Sequence, residues 1–402
     1  MIYLDAHATT PVDPRVLDAM LPLLRDQVGN ASSLDHAAGR RTRDAVDTAR
    51  RQVAAVIGAS HKDIVFTSGA TEADNLAIKG VATSASDRGD HVVTVATEHR
   101  AVLDTCRHLE DRGCRVTVLP VGPDGLIDLA ALEAALEAKT ILVSVMAANN
   151  EIGVLQPLAA IGRLTRARGI LFHTDAAQAF GRVPLDVDAM GIDLLSISAH
   201  KIHGPQGVGA LYVRSRRPTV RLAPLFDGGG HERGLRPGTL NAPGIVGLGA
   251  ASAIAEASMA AEAVGVAALR DRLLDGLRGA LEGVHVNGSL EHRLPHNLNV
   301  SIEGTDETLA SRLDGLAVSA GSACASGSIE PSYVLRALGV PAERAHGTLR
   351  FGLSRFTTEA EIDQAIAIVR GGVERLRADR AARSTASAGV TGTTATTPGA
   401  AP

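Results

Sequence analysis

The 402-residue chain contains no tryptophan, and aromatic residues make up only 2% of it. Its core must therefore be built from Ala, Val, Leu and Ile, and a flat ligand has few aromatic side chains to stack on. Cysteine is scarce too: Cys106, Cys114 and Cys324 are an odd number and form no C-x-x-C pair. That pattern suggests neither a zinc cage nor a disulfide framework, and it fits a reducing, cytoplasmic setting. A large excess of one charge is also missing. The formal net charge of −4 argues against broad capture of nucleic acid or anionic membrane. The opening MIYLDAHATTP has no basic n-region and does not read as a signal peptide. No uninterrupted apolar run is expected to span a membrane. The longest candidate, around Ile245–Ala268, carries Glu256 and Glu262 and reads as a packed helix. The 14 histidines contain no H-E-x-x-H, so no intrinsic metal site is expected.

What is present is ordinary in bulk, with 45% hydrophobic and 21% charged residues, and long enough for two domains. From Ile64 to Val213, short β-rich runs alternate with helical patterns. IVFTSG, HVVTVATE, CRVTVLP, TILVSVMA, ILFHTDA, DLLSISA and GALYVR are the strand candidates, and most are followed by a helix. Such alternation predicts an α/β fold with a mainly parallel seven-stranded sheet covered on both faces. A helical stretch near Pro243–Ala280 leads out of it. Shorter strand-like pieces (VHVNG, HNLNVSI, LAVSAG) and helices near Pro331–Leu338 and Glu359–Arg377 predict a smaller α+β domain. The expected division is 1–14 as an N-terminal segment packing with the small domain, 15–255 as the large domain and 256–380 as the small one. Residues 381–402, rich in Ala, Thr, Ser and Gly, are expected to be a disordered tail.

Ligands of open parallel sheets bind beyond the carboxyl ends of the strands. Five segments put polar residues there: Ser68–Thr71, Glu98-His99, Asn149–Glu151, Asp175–Gln178 and Ser198–Lys201. Ser68-Gly69-Ala70-Thr71 enters a helix and reads either as a simple cap or as an anion cradle. Asp175 follows an apolar run and reads as a structural cap or as the partner of a protonated ring nitrogen. Lys201 ends a strand-like run; it is a surface lysine or an imine-forming one. Ser198, His200 and Lys201 within four residues, opposite a buried Asp, point to pyridoxal phosphate, with hydroxyl and imidazole serving the phosphate. Cys324 lies in GSACASGS, a run of small residues with no core-forming partners, which favours a reactive thiol over a buried structural one. Cys106 and Cys114 read as structural.

The motifs TSGATEADNLAIKG, TEHRAVLDTCR, NNEIG, SAHKIHGPQGVGALYVR, GGGHERGLRPGT and GSACASGSIEPSYVLRALG resemble those of the NifS/IscS group of cysteine desulfurases. These are class-V aminotransferase-like, fold-type-I pyridoxal-phosphate enzymes, and the resemblance covers all but the C-terminal tail. It implies that Lys201 binds the cofactor covalently, Asp175 pairs with the ring nitrogen, and His99 stacks on the ring and helps move protons. It places Gln178 near the ring hydroxyl with Asn150 beside it. Ala70, Thr71, Ser198 and His200 would hold the phosphate, and Thr239 would reach the phosphate of the neighbouring subunit in a homodimer. Arg350 and Asn30 would bind the substrate, with Arg355 the alternative to Arg350. Lys201 would take the α-proton of L-cysteine and Cys324 the sulfur, as a persulfide passed to a protein acceptor such as an iron–sulfur scaffold or a thiolation protein. Cys324 could also transiently ligate an iron–sulfur cluster. Two departures stand out: Ala147-Ala148 where relatives often have a His-containing dipeptide, and an end of chain unlike the scaffold-binding segment of some relatives. The competing readings are a selenocysteine lyase, an aminotransferase, or a non-catalytic sulfur carrier.

Overall fold

The computed structural model describes residues 1–216, 219–320 and 331–390. The chain begins with a short strand, β1 (Ile2–Tyr3), and two helices, α1 (Pro14–Arg25) and α2 (Ala37–Ala55). Asp13 caps α1 by accepting from the Arg15 amide, and Pro14 takes the first helical position, where a missing N–H costs nothing. Neither helix is among the elements expected from the sequence.

The alternating region follows as β2 (Ile64–Thr67), α3 (Ala70–Ser84), β3 (His91–Val95), α4 (Arg100–Glu110), β4 (Arg115–Leu119) and α5 (Leu129–Ala135). It continues with β5 (Thr140–Ser144), α6 (Leu158–Ala167), β6 (Leu171–Asp175), β7 (Leu194–Ser198) and β8 (Gly209–Val213). Every strand falls in an apolar run read from the sequence. They form one seven-stranded sheet in the order β2-β8-β7-β6-β5-β3-β4. Only β8, between β2 and β7, runs antiparallel to its neighbours. Successive residues feed opposite faces, as a pleated strand requires. Val93, Val143, Phe172 and Leu195 join one core, whereas Val92, Leu142, Leu194 and Leu211 join another beneath α3 and α4.

A long helix, α7 (Ala242–Ala280), leaves this unit. By length and composition it could cross a membrane, but Ile245, Leu248 and Ala251 pack into the first core and Val266, Leu273 and Leu277 into a further one. That further core covers a four-stranded antiparallel sheet. The elements beyond α7 are β9 (Val284–Val286), β10 (Asn297–Ile302), β11 (Leu316–Ala317), β12 (Ser319–Ala320), α8 (Tyr333–Ala337), α9 (Ala342–His346), β13 (Thr348–Gly352) and α10 (Glu359–Val390). The sheet order is β12-β13-β10-β9, and β1 pairs with β11, bringing Ile2 and Leu4 into the same core. β13 is not among the strands read from the sequence. α10 continues to Val390, into the stretch expected to be a disordered tail. Extending an existing helix through Ala and Arg is cheap, because nucleation is the costly step.

Candidate active site

The carboxyl ends of the parallel strands open on one cavity of about 640 Å³. At one end of it Gly69 precedes α3, and no side chain among the described residues caps that helix. The amides of its first turn, around Ala70 and Thr71, are thus presented to an anion. Gly209 permits this approach. A Cβ there would lie 2.3 Å from the Ile197 carbonyl oxygen and 2.6 Å from Gly69 Cα. Ser198 ends β7 on the same wall, and His200 follows in a 3₁₀ turn, its Nδ1 3.0 Å from Thr9 Oγ1. Burial, with the charge of Lys201 second, pushes the His200 pKa down to about 4. A neutral imidazole brings a hydrogen bond, not a full charge, to whatever binds here.

Asp175 is the last residue of β6 and is buried, with Oδ1 accepting from the Ala177 amide at 2.8 Å. Burial raises its pKa, against the opposing pull of that amide, His99 and Lys201. Two further buried carboxyls stand near it. Asp74, on α3, has no hydrogen-bond partner within 3.5 Å among the described residues, with His173 Nε2 at 3.6 Å, and burial followed by repulsion from Asp175 pushes it well above the usual range. Glu98 accepts from the Met146 amide at 2.5 Å through Oε1, has no partner for Oε2 among the described residues, and is likewise pushed up by burial. Asp74 was not singled out from sequence; an acid within the apolar stretch ATEADNLAI was the available signal.

His99 caps α4, accepting from the Ala101 amide at 3.1 Å through Nδ1. Its proton therefore sits on Nε2, and its ring forms part of the cavity wall. Lys201 Nζ donates to the backbone carbonyls of His7 (2.5 Å) and Ala8 (2.8 Å). Gln178 stands beside it, bonded to His7.

Arg350, on β13, reaches the cavity from the smaller sheet. Its guanidinium donates to the Asn150 carbonyl (3.0 Å), Asp5 Oδ1 (2.9 Å) and Ser319 Oγ (2.8 Å). Its Nε and the Asn150 Oδ1 are buried and have no hydrogen-bond partner among the described residues. Arg355 lies elsewhere, held by Asp13 at 3.1 Å and Glu262 at 3.0 Å. The two arginines stand five positions apart in sequence, and only the strand resolves which one faces the cavity. Two other expected residues are outside it. Asn30 is exposed and accepts from the Ser32 amide, shaping its own turn instead of a ligand wall. Thr239 is also exposed, although Arg236 in the same loop pairs with Glu72 on the cavity wall at 2.9 Å. Cys324 lies outside the described residues. Cys106 is buried in the core beneath α4, which drives its thiol up to about 12, and Cys114 is half-buried.

The orphan amide oxygen of Asn150, the unpartnered Arg350 Nε and the uncapped start of α3 are what a polar, planar ligand with an anionic group would satisfy. Comparison with known proteins supplies the class of ligand. Residues 2–365 match the family model "Aminotransferase class-V". The chain belongs to the class-V aminotransferase family. Among its relatives is "Cysteine desulfurase IscS" of Anaeromyxobacter dehalogenans (strain 2CP-C), 57% identical over 94% of this chain and 93% of the relative. Among solved structures, a "NIFS-LIKE PROTEIN" superposes with TM-score 0.85 at 38% identity, covering 92% of this chain and 98% of that one. "SspA in complex with cysteine" superposes with TM-score 0.79 at 37% identity, covering 89% and 100%. Within the family this chain stands on the cysteine desulfurase branch, whose cofactor is pyridoxal 5'-phosphate. The cavity suits it. Lys201, Asp175 and the start of α3 offer, respectively, an amine, a buried carboxylate and an anion cradle.

Proposed function

We propose that the chain removes sulfur from L-cysteine, releasing L-alanine and leaving a persulfide on Cys324. The observation that carries this reading is that Lys201, Asp175 and Arg350 face one cavity from three separate elements. Pyridoxal phosphate, when bound, supplies the electron sink that lets an amino acid lose its α-proton at neutral pH. Asp175 would hold the proton of the ring nitrogen, its own buried charge being stabilised by that cation. Ala70, Thr71, Ser198 and His200 would take the phosphate, Gln178 and Asn150 would approach the ring hydroxyl, and His99 would cover the ring face. Arg350 takes the substrate carboxylate, with Asp5 and Ser319 fixing the guanidinium plane. Lys201 carries the α-proton. Thiolate Cys324 attacks the substrate sulfur; the new S–S bond forms as the C–S bond breaks, its electron pair goes to the β-carbon, and a proton taken up there completes the methyl group of alanine.

The active unit is a homodimer in which Thr239 completes the phosphate site of the partner subunit, which agrees with its exposed position outside its own chain's cavity. The protein acts in the cytoplasm and hands its sulfur to a protein acceptor, an iron–sulfur scaffold or a thiolation protein. The deciding experiment is Cys324→Ser. This variant keeps the yellow cofactor and binds cysteine, but releases no alanine above background, while Cys106→Ser and Cys114→Ser stay active. Wild-type alanine release by Cys324→Ser in the presence of a thiol reductant would overturn the persulfide reading in favour of a lyase.

A further inference from the structure

His7 belongs to no motif that the proposed chemistry uses, yet it is almost fully buried against the cavity, with His296 stacked on its ring at 4.6 Å. Its hydrogen bonds permit only one arrangement of protons. A backbone carbonyl can only accept, so the Gln178 atom 3.0 Å from the His7 carbonyl oxygen is the amide nitrogen. The other amide atom, 2.9 Å from His7 Nδ1, is then the oxygen, and Nδ1 must carry the ring proton. Nε2 is left as an acceptor, and Asn297 Nδ2 donates to it at 2.9 Å. Asn297 is oriented independently. Its Oδ1 accepts from Arg293, which can only donate, at 2.7 Å, and its Nδ2 also reaches the Glu151 carbonyl at 3.1 Å. The donors thus run one way, from Arg293 through Asn297 and His7 to Gln178. The ring is neutral: burial holds its pKa well below the ordinary histidine range, and Arg350, Lys201 and Arg182 add positive charge around it.

We propose that His7 is a positioning residue. By donating to Gln178 Oε1, it locks that amide so that an N–H, never the C=O, is offered to the ring oxygen of the cofactor. Without that donor only the His7 backbone carbonyl still favours this orientation, and an amide that turns over presents its oxygen, which repels a ring oxygen bearing negative charge. The proposal rests on the reading that places Gln178 beside that ring hydroxyl. It makes the N-terminal segment part of the site's electrostatics: the same residue accepts from Lys201 through its backbone and steers Gln178 through its ring.

The test is a pH titration of the visible absorbance of the cofactor-loaded protein, together with the cofactor dissociation constant. A donor to the ring oxygen stabilises the negative charge which that oxygen carries once the chromophore has lost its proton, and so keeps the midpoint low. His7→Gln fills the space and can still reach Asn297, but offers no donor at the Nδ1 position. His7→Ala removes both side-chain contacts and leaves the backbone carbonyl in place. Each is expected to raise the midpoint by about one pH unit. His7→Asn restores a donor at the Nδ1 position and should return the midpoint to the wild-type value. Gln178→Ala separates the two levels of the argument. If Gln178→Ala moves the midpoint and neither His7→Gln nor His7→Ala does, the positioning role is overturned. If Gln178→Ala itself leaves the midpoint unmoved, the underlying placement of Gln178 is wrong and the proposal fails with it. A rise in His7→Asn as large as in His7→Ala would show that the packing of the ring, not its donor, matters, and would also overturn the proposal.

Discussion

The two ends of the large sheet use the same side chain in opposite ways. At the amino end of the parallel strands, Asp90 precedes β3 and Glu137 precedes β5, and both pair with Arg115 in open solvent, at 3.0 and 2.6 Å. Hydrogen bonds from Arg115 hold both carboxyls below their usual range. At the carboxyl end, Glu98 follows β3 and Asp175 closes β6, and burial pushes both up. Exposed pairs of the first kind contribute little, because water serves the charges nearly as well. Buried acids of the second kind cost stability until a cation arrives, and that cost identifies the end where ligand chemistry is done. Strand direction decides which end is which, since helix starts and loop polar groups converge only beyond the carboxyl ends.

That contrast is broken most severely by removing the amine at the buried end. Lys201→Ala should bring alanine production to background, a loss of at least about 10³-fold, and borohydride should no longer fix the cofactor to the protein. Covalent fixation persisting in the variant would show that the amine comes from elsewhere. Next in size is Arg350→Lys, which keeps the charge but loses the fork. The KM for cysteine should rise about 10- to 100-fold, with a smaller change in kcat. Arg355→Lys, its neighbour in sequence but held by Asp13 and Glu262, should lower the melting temperature and leave KM unchanged. Equal kinetic defects in the two would erase the distinction that β13 makes between them.

A third measurement sharpens the comparison through pH. Glu151 is buried beyond the carboxyl end of β5, accepts from Ser332 at 2.5 Å, and has its pKa raised by burial to about 7. A carboxyl that ionises later in the folded state than in the unfolded one binds its proton more tightly when folded. Its effect on stability is therefore lost progressively as pH rises from about 4.5 through about 7. Relative to Glu151→Gln, the wild-type protein should lose stability across that window, by no more than about 3 kcal/mol. Parallel melting curves of the two proteins between pH 5 and 8 measure this, and a constant difference would refute it. The smallest effect is at the exposed end. Asp90→Asn should leave turnover and melting temperature at wild-type values within error, and a clear kinetic defect there would mean that the two ends are not as different as their burial implies.

Much of this was readable in the order of residues. The inner strands of the large sheet lie in short apolar runs, because a strand buried on both faces needs apolar side chains pointing both ways, whereas β4, at the edge, is partly exposed. Asp175 and Lys201 could be placed at strand ends by the same pattern, and the resemblance of whole motifs added their roles. The helices before Ile64 went unread: α2 carries repeated charge between its apolar positions, and much of its burial comes from packing against α7. β13 went unread because five residues, TLRFG, lack the alternation that would announce a strand, being buried on both sides.

What the sequence alone determined, then, was local: period, strand ends and the chemical types gathered after them. What only the tertiary structure decided was which distant residues meet there. Arg350 and not Arg355 faces the cavity, because pairing with β10 sets the register of β13. His7 reaches Gln178 across 171 positions, and Asn297 reaches His7 across 290. Asn30 caps its own turn. Such contacts follow from how separate elements pack, and a hydrogen bond between residues so far apart has no local period to betray it. The physical reason is that periodicity reports which face of an element is buried, while the partner waiting on that face is chosen by the fold as a whole.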